Sequence, residues 1–179
     1  VDSEAPLVSP ADGLVVSAAA VDNGSTIQAK GISYDIDSFL GERDLFTSGH
    51  QVTIYLSPRD YHRVHAPCAA TVVGIRRIAG RRLPVGVSYA ETVPNLFAEN
   101  ERVVFLLETT SGTVAVVMVG ATGVSAIRPE VASGDSVRAG DELGVFLLGS
   151  TVVMVWDTAV GALPAIAAGD STRVGQRIV

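Results

Sequence analysis

The chain has 179 residues and a mass of 18.5 kDa, with 47% hydrophobic and 18% charged positions, so it can bury one sizeable core and is not disordered, coiled-coil or collagen-like. Thirteen Lys and Arg against nineteen Asp and Glu give a net charge of −6, and with a pI near 4.9 nucleic-acid binding is not expected. The one cysteine, Cys68, excludes an internal disulfide framework and a multi-cysteine zinc site, and favours a reducing compartment.

Short apolar runs rich in Val, Ile, Leu and Thr predict β-strands, and clusters of Gly, Pro, Asp, Asn and Ser between them predict turns. The predicted strands are Leu14–Val16, Val52–Leu56, Thr71–Ile75, Val103–Leu107, Val114–Val119, Leu143–Leu148 and Thr151–Trp156. Short helical elements are predicted at Asp35–Leu40, with Asp35 or Asp37 as N-cap, at Ser57–His62, with Pro58 at the first helical position, and at Asn95–Glu99. The sequence therefore predicts one all-β domain over residues 1–179, with a few short helices, of the closed-barrel or sandwich type.

The segment Val131–Gly144 resembles the turn-strand rhythm of biotinyl and lipoyl carrier domains and of related barrel-sandwich hybrid folds. This resemblance implies architecture rather than function. A carrier domain needs its acceptor lysine on an exposed hairpin, and the sole lysine, Lys30, lacks the Met or Asp neighbours of those hairpins. A non-catalytic barrel-sandwich binding or carrier module is one alternative function.

No apolar run approaches the roughly 18 residues of a membrane-spanning helix, so the chain as given predicts no transmembrane segment and a cytoplasmic protein. The sequence begins at Val1 rather than Met, so an upstream anchor could have been removed. A local group of arginines could contact anionic lipid headgroups at the inner face of the cell membrane, or could be a solvated hairpin tip. These are Arg76, Arg77, Arg81 and Arg82.

The residues best suited to acid–base chemistry lie in the segment Asp60–Cys68, which holds two of the three histidines. The spacing of His62, His65 and Cys68 would suit a metal on a helix, but Pro67 and the apolar run after it favour a strand, so no metal is expected. Asp12, in an Asp-Gly turn, is a candidate carboxylate to orient a histidine.

A candidate nucleophile is Ser150, which follows Gly149 between two apolar strands. The segment lacks the G-x-S-x-G pattern of the α/β-hydrolases, so ordinary esterase or protease chemistry is not indicated. Glycine lets the backbone approach closely, and a serine hydroxyl can attack the carbonyl of its own preceding peptide bond if a base removes its proton.

Six motifs, in matching order and approximate spacing from about Pro6 to Trp156, together resemble the phosphatidylserine decarboxylase family. They are Ser9-Pro-Ala-Asp12-Gly, Gln28-Ala-Lys-Gly-Ile-Ser-Tyr34, Ser57-Pro-Arg-Asp-Tyr-His62-Arg-Val-His65-Ala-Pro, Val93-Pro-Asn-Leu-Phe-Ala-Glu-Asn-Glu-Arg102, Val119-Gly-Ala-Thr122 and Leu148-Gly-Ser-Thr151.

The resemblance implies a self-processing proenzyme in which Asp12, His65 and Ser150 form the maturation triad. Cleavage between Gly149 and Ser150 would leave a β chain, residues 1–149, and an α chain of 179 − 149 = 30 residues, 150–179, that starts with a pyruvoyl group made from Ser150. The pyruvoyl group is the only cofactor implied, with no metal.

The family pattern also assigns other residues to the site. His62 would serve the decarboxylation step as proton donor. Thr151 and the loop Gly120, Ala121 and Thr122 would line the site.

The implied reaction converts phosphatidylserine to phosphatidylethanolamine and CO2. The segment Gly123–Leu147 is shorter than in familiar bacterial members, and Val124-Ser-Ala-Ile127 replaces their Val-Gly-Ser-Ile pattern, so a small amino acid or related metabolite is the alternative substrate. The expected partners are the aminophospholipid or amino acid, the protein's own α chain, a peripheral membrane surface and a second copy paired through an exposed β edge.

Overall fold

The computed structural model describes residues 1–123, 126–147 and 150–179. The strands are β1 (Gly13–Asp22), β2 (Ser25–Ala29), β3 (Ile32–Asp35), β4 (Ser48–Leu56), β5 (Arg63–His65), β6 (Ala70–Ile78), β7 (Arg102–Glu108), β8 (Thr113–Val119), β9 (Ile127–Pro129), β10 (Ser136–Val137), β11 (Glu142–Phe146), β12 (Ser150–Trp156) and β13 (Ser171–Thr172). The helices are α1 (Ile36–Leu40), α2 (Val87–Ala90) and α3 (Leu96–Glu99).

Two antiparallel sheets carry the fold. The larger has the strand order β10-β6-β7-β8-β12-β4-β1-β2-β3, with β13 also paired to β1, and the smaller has the order β5-β11-β9. The predicted β-rich architecture with few short helices is confirmed. Along the described ranges the larger sheet has two free ends, β10 and β3, so it does not close into a barrel.

Strand β12 lies in the middle of the larger sheet, between β4 and β8, and all seven of its residues are buried. Its first residue, Ser150, is opposite Leu56 at the end of β4. In the next row Tyr55 pairs with Thr151 on one side and with Leu14 of β1 on the other. This register aligns the start of β12 with the end of β4 and the start of β1.

The seven predicted strands correspond to β1, β4, β6, β7, β8, β11 and β12. The last residue of the predicted run 143–148, Leu148, lies outside the described residues. The other six strands have only two to five residues and escaped prediction, because so short a segment carries too little periodic signal.

Two of the three predicted helical elements are confirmed. Helix α1 is capped by Asp35, whose carboxylate accepts from the Ser38 backbone N–H at 2.7 Å, and it ends at Gly41 with a left-handed φ of 66°. Helix α3 begins after Asn95 as expected. The short helix α2 was not predicted.

The turn predicted at Ser57–His62 is present, but the helical form expected from Pro58 at its first position is wrong. The segment is a hydrogen-bonded turn in which Asp60 accepts from the Ser57 N–H at 2.7 Å through its carboxylate and donates its own N–H to the Ser57 carbonyl at 3.0 Å. An aspartate side chain that closes a turn on the backbone competes with helix formation.

A twelve-residue turn-strand unit occurs twice. Residues Ala132–Leu143 and Ala167–Ile178 are identical at six of twelve aligned positions, and in each copy the Gly-Asp aspartate, Asp135 or Asp170, accepts from a backbone N–H three residues earlier at 2.8 Å. The first copy pairs with β6 and the second with β1. The turn rhythm noted in the sequence therefore belongs to an internal duplication.

The segments that lead into β1 and β6, the strands paired with these two units, also correspond to each other. The His65 N–H donates to the Pro10 carbonyl at 2.8 Å, and the Val8 N–H donates to the Pro67 carbonyl at 2.9 Å, so the two segments bond to each other reciprocally. Each residue of the first segment corresponds to the residue 57 positions later in the second, so Asp12 corresponds to Ala69.

Candidate active site

Ser150 is fully buried at the start of β12, and its Oγ has no hydrogen-bond partner among the described residues. The neighbouring Thr151 hydroxyl is likewise buried without a partner there. Buried hydroxyl groups are normally hydrogen-bonded, so two adjacent ones without a partner in the described ranges are unusual. Gly149, the other half of the predicted cleavage site, lies outside the described residues.

His62 lies beside the end of β11, because its carbonyl accepts from the Phe146 N–H at 2.9 Å. Its ring Nδ1 is 2.5 Å from the Asp60 carbonyl oxygen. A carbonyl can only accept, so Nδ1 carries the proton and Nε2 keeps the lone pair of the neutral ring. Nε2 is buried and has no partner in the part of the chain that the structure describes.

His65 ends the short strand β5, and both of its ring nitrogens are engaged. Nδ1 lies 2.8 Å from the Gly140 carbonyl oxygen and Nε2 lies 3.1 Å from the Tyr61 hydroxyl, whose ring stacks on the imidazole at 5.6 Å. Nδ1 is therefore the donor to Gly140, and Nε2 accepts from Tyr61. Neither Gly140 nor Tyr61 was singled out from the sequence, although Tyr61 sits inside the same motif.

Asp12 is half-buried, and its Oδ1 accepts from the Val174 N–H at 2.8 Å. The glycine after it is required, because a Cβ at Gly13 would lie 2.3 Å from the Tyr55 carbonyl oxygen. The Pro10 carbonyl, two residues earlier, accepts from the His65 N–H. The segment of Asp12 and the strand of His65 are thus neighbours.

The segment of Asp12 and the strand of His65 are joined by the backbone bond from the His65 N–H to the Pro10 carbonyl. The side chains of Asp12, His65 and Ser150, all within the described ranges, form no hydrogen bond to one another. The group that orients the His65 ring is the carbonyl of Gly140.

Two cavities meet at Tyr55. The polar cavity, about 540 Å³, is bounded by Tyr55, Asp12, Asp60, Thr172 and Arg173, among other residues. The apolar cavity, about 280 Å³, is lined by Tyr55, Pro58, Pro84, Val85, Gly86, Ser88, Tyr89, Ala121 and Thr122. Two of the three loop residues predicted to line the site, Ala121 and Thr122, therefore face the apolar cavity.

The loop Gly120–Thr122 is held by side chains from outside it. The buried Asn100 donates to the Gly120 carbonyl at 2.9 Å and also bonds both backbone groups of Leu83. Thr122 donates to the Arg82 carbonyl at 2.6 Å. Asn100 belongs to a motif that was quoted for the resemblance, but its role as a support of the loop was not anticipated.

Two further motif residues build the scaffold. Gln28 is buried and bonds the backbone around α2 and α3, donating to the carbonyls of Ala90 and Val93 and accepting from the Leu96 N–H. Arg102 is buried and donates to four backbone carbonyls, and burial lowers its pKa to about 10. The carbonyl acceptors are those of Ser38, Phe39, Ala98 and Asn100.

Burial raises the pKa of the Cys68 thiol to about 11, so this side chain is a neutral thiol near pH 7 rather than a reactive thiolate. Three of the four clustered arginines are paired with carboxylates: Arg76 with Glu42 at 2.9 Å, and Arg77 and Arg82 with Glu101 at 3.1 and 2.9 Å. This pairing reduces the positive charge that the group presents.

In the described ranges, no helix is long and apolar enough to cross a membrane.

These features define a β-rich protein with a buried serine at the start of a central strand and two histidines in one short motif. The chain belongs to the phosphatidylserine decarboxylase family, whose sequence model matches residues 1–179.

Similar curated proteins bear the name phosphatidylserine decarboxylase proenzyme. The one from Anaeromyxobacter sp. (strain K) is 38% identical over 196 aligned positions, which cover 97% of this chain and 70% of that protein. The one from Acinetobacter baylyi is 39% identical, covering 95% of this chain and 67% of its own length. The one from Psychrobacter arcticus is 41% identical, covering 83% and 60%. Both the family and the proenzyme character expected from the six motifs are thus found in these relatives.

Proposed function

We propose that this protein is a self-processing decarboxylase that converts phosphatidylserine to phosphatidylethanolamine and CO2. The observation that carries the proposal is the buried Ser150 hydroxyl at the start of β12, which has no hydrogen-bond partner among the described residues. The family membership supports the same reaction, because the matched relatives are named for it.

The processing step proposed here is an attack of Ser150 Oγ on the carbonyl carbon of Gly149. A C–O bond forms, the C–N bond of the peptide breaks, and an ester replaces the amide. Removal of the Ser150 α-proton then expels the Gly149 carboxylate. The resulting enamine takes up one water and releases ammonia, which leaves a pyruvoyl group at the start of residues 150–179.

His65 is proposed as the base that takes the proton from Ser150. Its Nδ1–H is fixed on the Gly140 carbonyl, so the lone pair of the neutral ring is at Nε2, the nitrogen that a base needs free. Tyr61 occupies that lone pair in this structure, so its hydroxyl must move aside for the transfer.

Asp12 is proposed as the carboxylate that stabilises the imidazolium formed during processing. Among the described residues only its Oδ1 is engaged, by the Val174 N–H, and its segment is bonded to the His65 strand through Pro10. A negative charge close to an imidazolium favours the proton transfer that creates it.

The residues at the start of β12 fit a pyruvoyl group. Ser150 is already buried there, and the partner strands β4 and β8 hold the backbone on both sides, so Thr151 and the facing Tyr55 would border the group. A pyruvoyl group supplies an electrophilic carbonyl that condenses with a primary amine and withdraws electrons from a departing carboxylate.

His62 is proposed as the proton donor of the decarboxylation step. Its Nε2 is buried without a partner in the described ranges, and its backbone is anchored beside the end of β11. The carbonyl of Asp60 fixes the ring through Nδ1, so Nε2 points in one direction for the proposed proton transfer.

The apolar cavity favours a lipid over a small amino acid as substrate. Pro58, Pro84, Val85 and Tyr89 offer apolar surface next to the site, which a free amino acid would not need.

The direct test is the intact mass of the denatured protein, followed by CO2 release from vesicles that contain phosphatidylserine. We expect two fragments split between Gly149 and Ser150, the smaller one lighter by one ammonia than a chain that starts with Ser150. Ser150→Ala should remain one chain, and Ser111→Ala, a change at an exposed turn, should process normally. A single unmodified wild-type chain, or CO2 release from free serine but not from the lipid, would contradict the proposal.

A further inference from the structure

We propose that Asp141 is a positioning residue for the proposed base, because its carboxylate closes the turn 138–141 whose Gly140 carbonyl holds the His65 ring. This inference rests on the proposed function, since it assigns the group that orients the base of the same processing step. It separates two tasks that the carboxylate of a triad usually combines, because the turn orients the imidazole while Asp12 supplies the charge.

The turn 138–141 is closed from both sides by Asp141. The Asp141 carboxylate accepts from the Arg138 N–H at 2.7 Å, and the Asp141 N–H donates to the Arg138 carbonyl at 3.0 Å. Between them Gly140 has a left-handed φ of 91°, which glycine adopts without strain. These constraints fix the direction of the Gly140 carbonyl.

The same turn is bonded to the strand that carries the base. The Gly140 N–H donates to the Ala66 carbonyl at 2.9 Å, and the Ala66 N–H donates to the Asp141 carbonyl at 2.7 Å. Ala66 is fully buried and directly follows His65. The Gly140 carbonyl oxygen is therefore held at a fixed place beside the ring, 2.8 Å from Nδ1.

This turn occurs four times, twice in each copy of the duplicated unit. In every copy a glycine with left-handed φ stands third, and the side chain of the fourth residue accepts from the N–H of the first. Every copy also exchanges two backbone hydrogen bonds with one residue of a neighbouring segment. The turns 132–135, 138–141, 167–170 and 173–176 bond in this way to Val72, Ala66, Val15 and Ser9.

The turn 138–141 differs from the other three in what faces its glycine carbonyl. The residues that precede the four bonded positions are Thr71, His65, Leu14 and Val8, in the same order. Among the described residues, Gly140 is the one glycine of the four turns whose carbonyl accepts from a side chain. The turn is thus a common element of this fold, and the histidine beside it makes one copy an orienting group.

The orienting bond serves the proton transfer at both of its stages. Before the transfer, donation from Nδ1 to Gly140 keeps the lone pair at Nε2, and the Tyr61 side chain that occupies Nε2 is 45% exposed and can leave without opening the core. After the transfer, the imidazolium still donates through Nδ1, and the bond to the carbonyl becomes charge-assisted.

The first test is the rate of self-cleavage. Asp141→Ala should slow it about tenfold or more, because the carbonyl that orients the ring is no longer fixed. Asp141→Asn should cleave at nearly the wild-type rate, since an amide oxygen closes the fourth turn, where Gln176 accepts from the Arg173 N–H. Asp135→Ala is the matched control, because it opens the equivalent turn beside Thr71 and should leave cleavage unchanged.

The second test reads the His65 ring directly in the Ser150→Ala chain, which cannot process itself. Nitrogen-15 NMR distinguishes a ring protonated at Nδ1 from one protonated at Nε2. We expect the Nδ1–H form in this parent chain, in Asp141→Asn and in Asp135→Ala, and a mixture of both forms in Asp141→Ala. Urea unfolding of the two alanine variants should show similar losses of stability, so that only the ring and the cleavage rate separate them.

Unchanged cleavage in Asp141→Ala, equal slowing in Asp135→Ala, or an Asp141→Asn chain as slow as Asp141→Ala would overturn the proposal. A ring protonated at Nε2 in the parent chain would overturn it even if Asp141→Ala did not fold. Normal cleavage that does not depend on Asp141 would refute the positioning role and leave the proposed function standing. A wild-type chain that never cleaves, with the Nδ1–H form lost only in Asp141→Ala, would do the reverse.

Discussion

The His65 backbone N–H donates to the Pro10 carbonyl at 2.8 Å, and this single bond ties the strand of the proposed base to the segment of the proposed carboxylate Asp12. Its counterpart, from the Val8 N–H to the Pro67 carbonyl, makes the same contact in the other direction. The proposed site is thus built on the contact between two related segments. These segments differ at the two residues proposed for the chemistry, because Asp12 corresponds to Ala69 and His65 corresponds to Val8.

Asp12→Asn should slow self-cleavage by about 10² or more, because the amide keeps an acceptor for the Val174 N–H but loses the charge that stabilises the imidazolium. The measurement is the rate of fragment appearance on denaturing gels. Asp135→Asn is the control, since that exposed carboxylate also accepts from a backbone N–H but lies in the turn unit 132–143 and not in the segment of Asp12. Equal slowing by both substitutions would assign Asp12 a purely structural role.

His62→Ala should leave self-cleavage intact and reduce CO2 release by about 10²- to 10⁴-fold, because the proposed proton donor is lost while His65 remains. Fragment masses and CO2 release from the same sample separate the two steps. His50→Ala serves as the control histidine, since that ring packs near Trp156. Full decarboxylase activity in His62→Ala would remove the proposed division of roles between the two histidines.

After cleavage, residues 150–179 should remain bound to residues 1–149 without a covalent link. Strand β12 is buried along its whole length between β4 and β8, and β13 pairs with β1, so separation would expose apolar surface and break two ladders. Size-exclusion chromatography in mild buffer should show both fragments in one peak. Elution as two separate species would contradict the packing of β12.

The free energy of unfolding should fall as the pH drops below about 6.5, in part through His50. Burial lowers the pKa of His50, so the unfolded chain binds a proton that the folded chain resists; its contribution is fully present above the ordinary pKa and is lost as the pH falls through the window below it. Urea unfolding at about pH 5.5 and 7.5 measures the difference. In His50→Gln the difference should be smaller, and an unchanged difference would exclude His50 as a source.

Arg102→Lys should destabilise the protein by about 2 to 4 kcal/mol, because an ammonium cannot reach the four carbonyls that the guanidinium serves and leaves buried acceptors unpaired. Chemical denaturation measures the loss. Arg77→Lys is the control, since its ion pair with Glu101 is half-exposed and such pairs contribute at most about 1 kcal/mol. A smaller loss of unfolding free energy than in Arg77→Lys would show that the four buried hydrogen bonds of Arg102 contribute little to stability.

Much of the fold could be predicted from short stretches of the sequence. The β-branched runs predict the long strands because alternation and apolar content are properties of a few consecutive residues, and Asp35 predicts the start of α1 because an N-cap acts within one turn. The segment at Ser57 was misjudged because proline suits both a helix start and a turn, and the Asp60 carboxylate decides for the turn. The repeat of the turn unit is visible in the sequence as six identical positions between 132–143 and 167–178.

Motifs and periodicity lie within short stretches of chain, so the sequence alone is enough to predict the family, the residue types of the proposed site and the long strands. Which groups meet depends on the assembled sheets. The oxygen that orients His65 belongs to Gly140, 75 positions away, and the amide that holds Asp12 belongs to Val174, 162 positions away. Such contacts depend on strand pairing and register, which no local pattern specifies, and for that reason the polar cavity of Asp12, Asp60 and Arg173 appears only once the sheets are assembled.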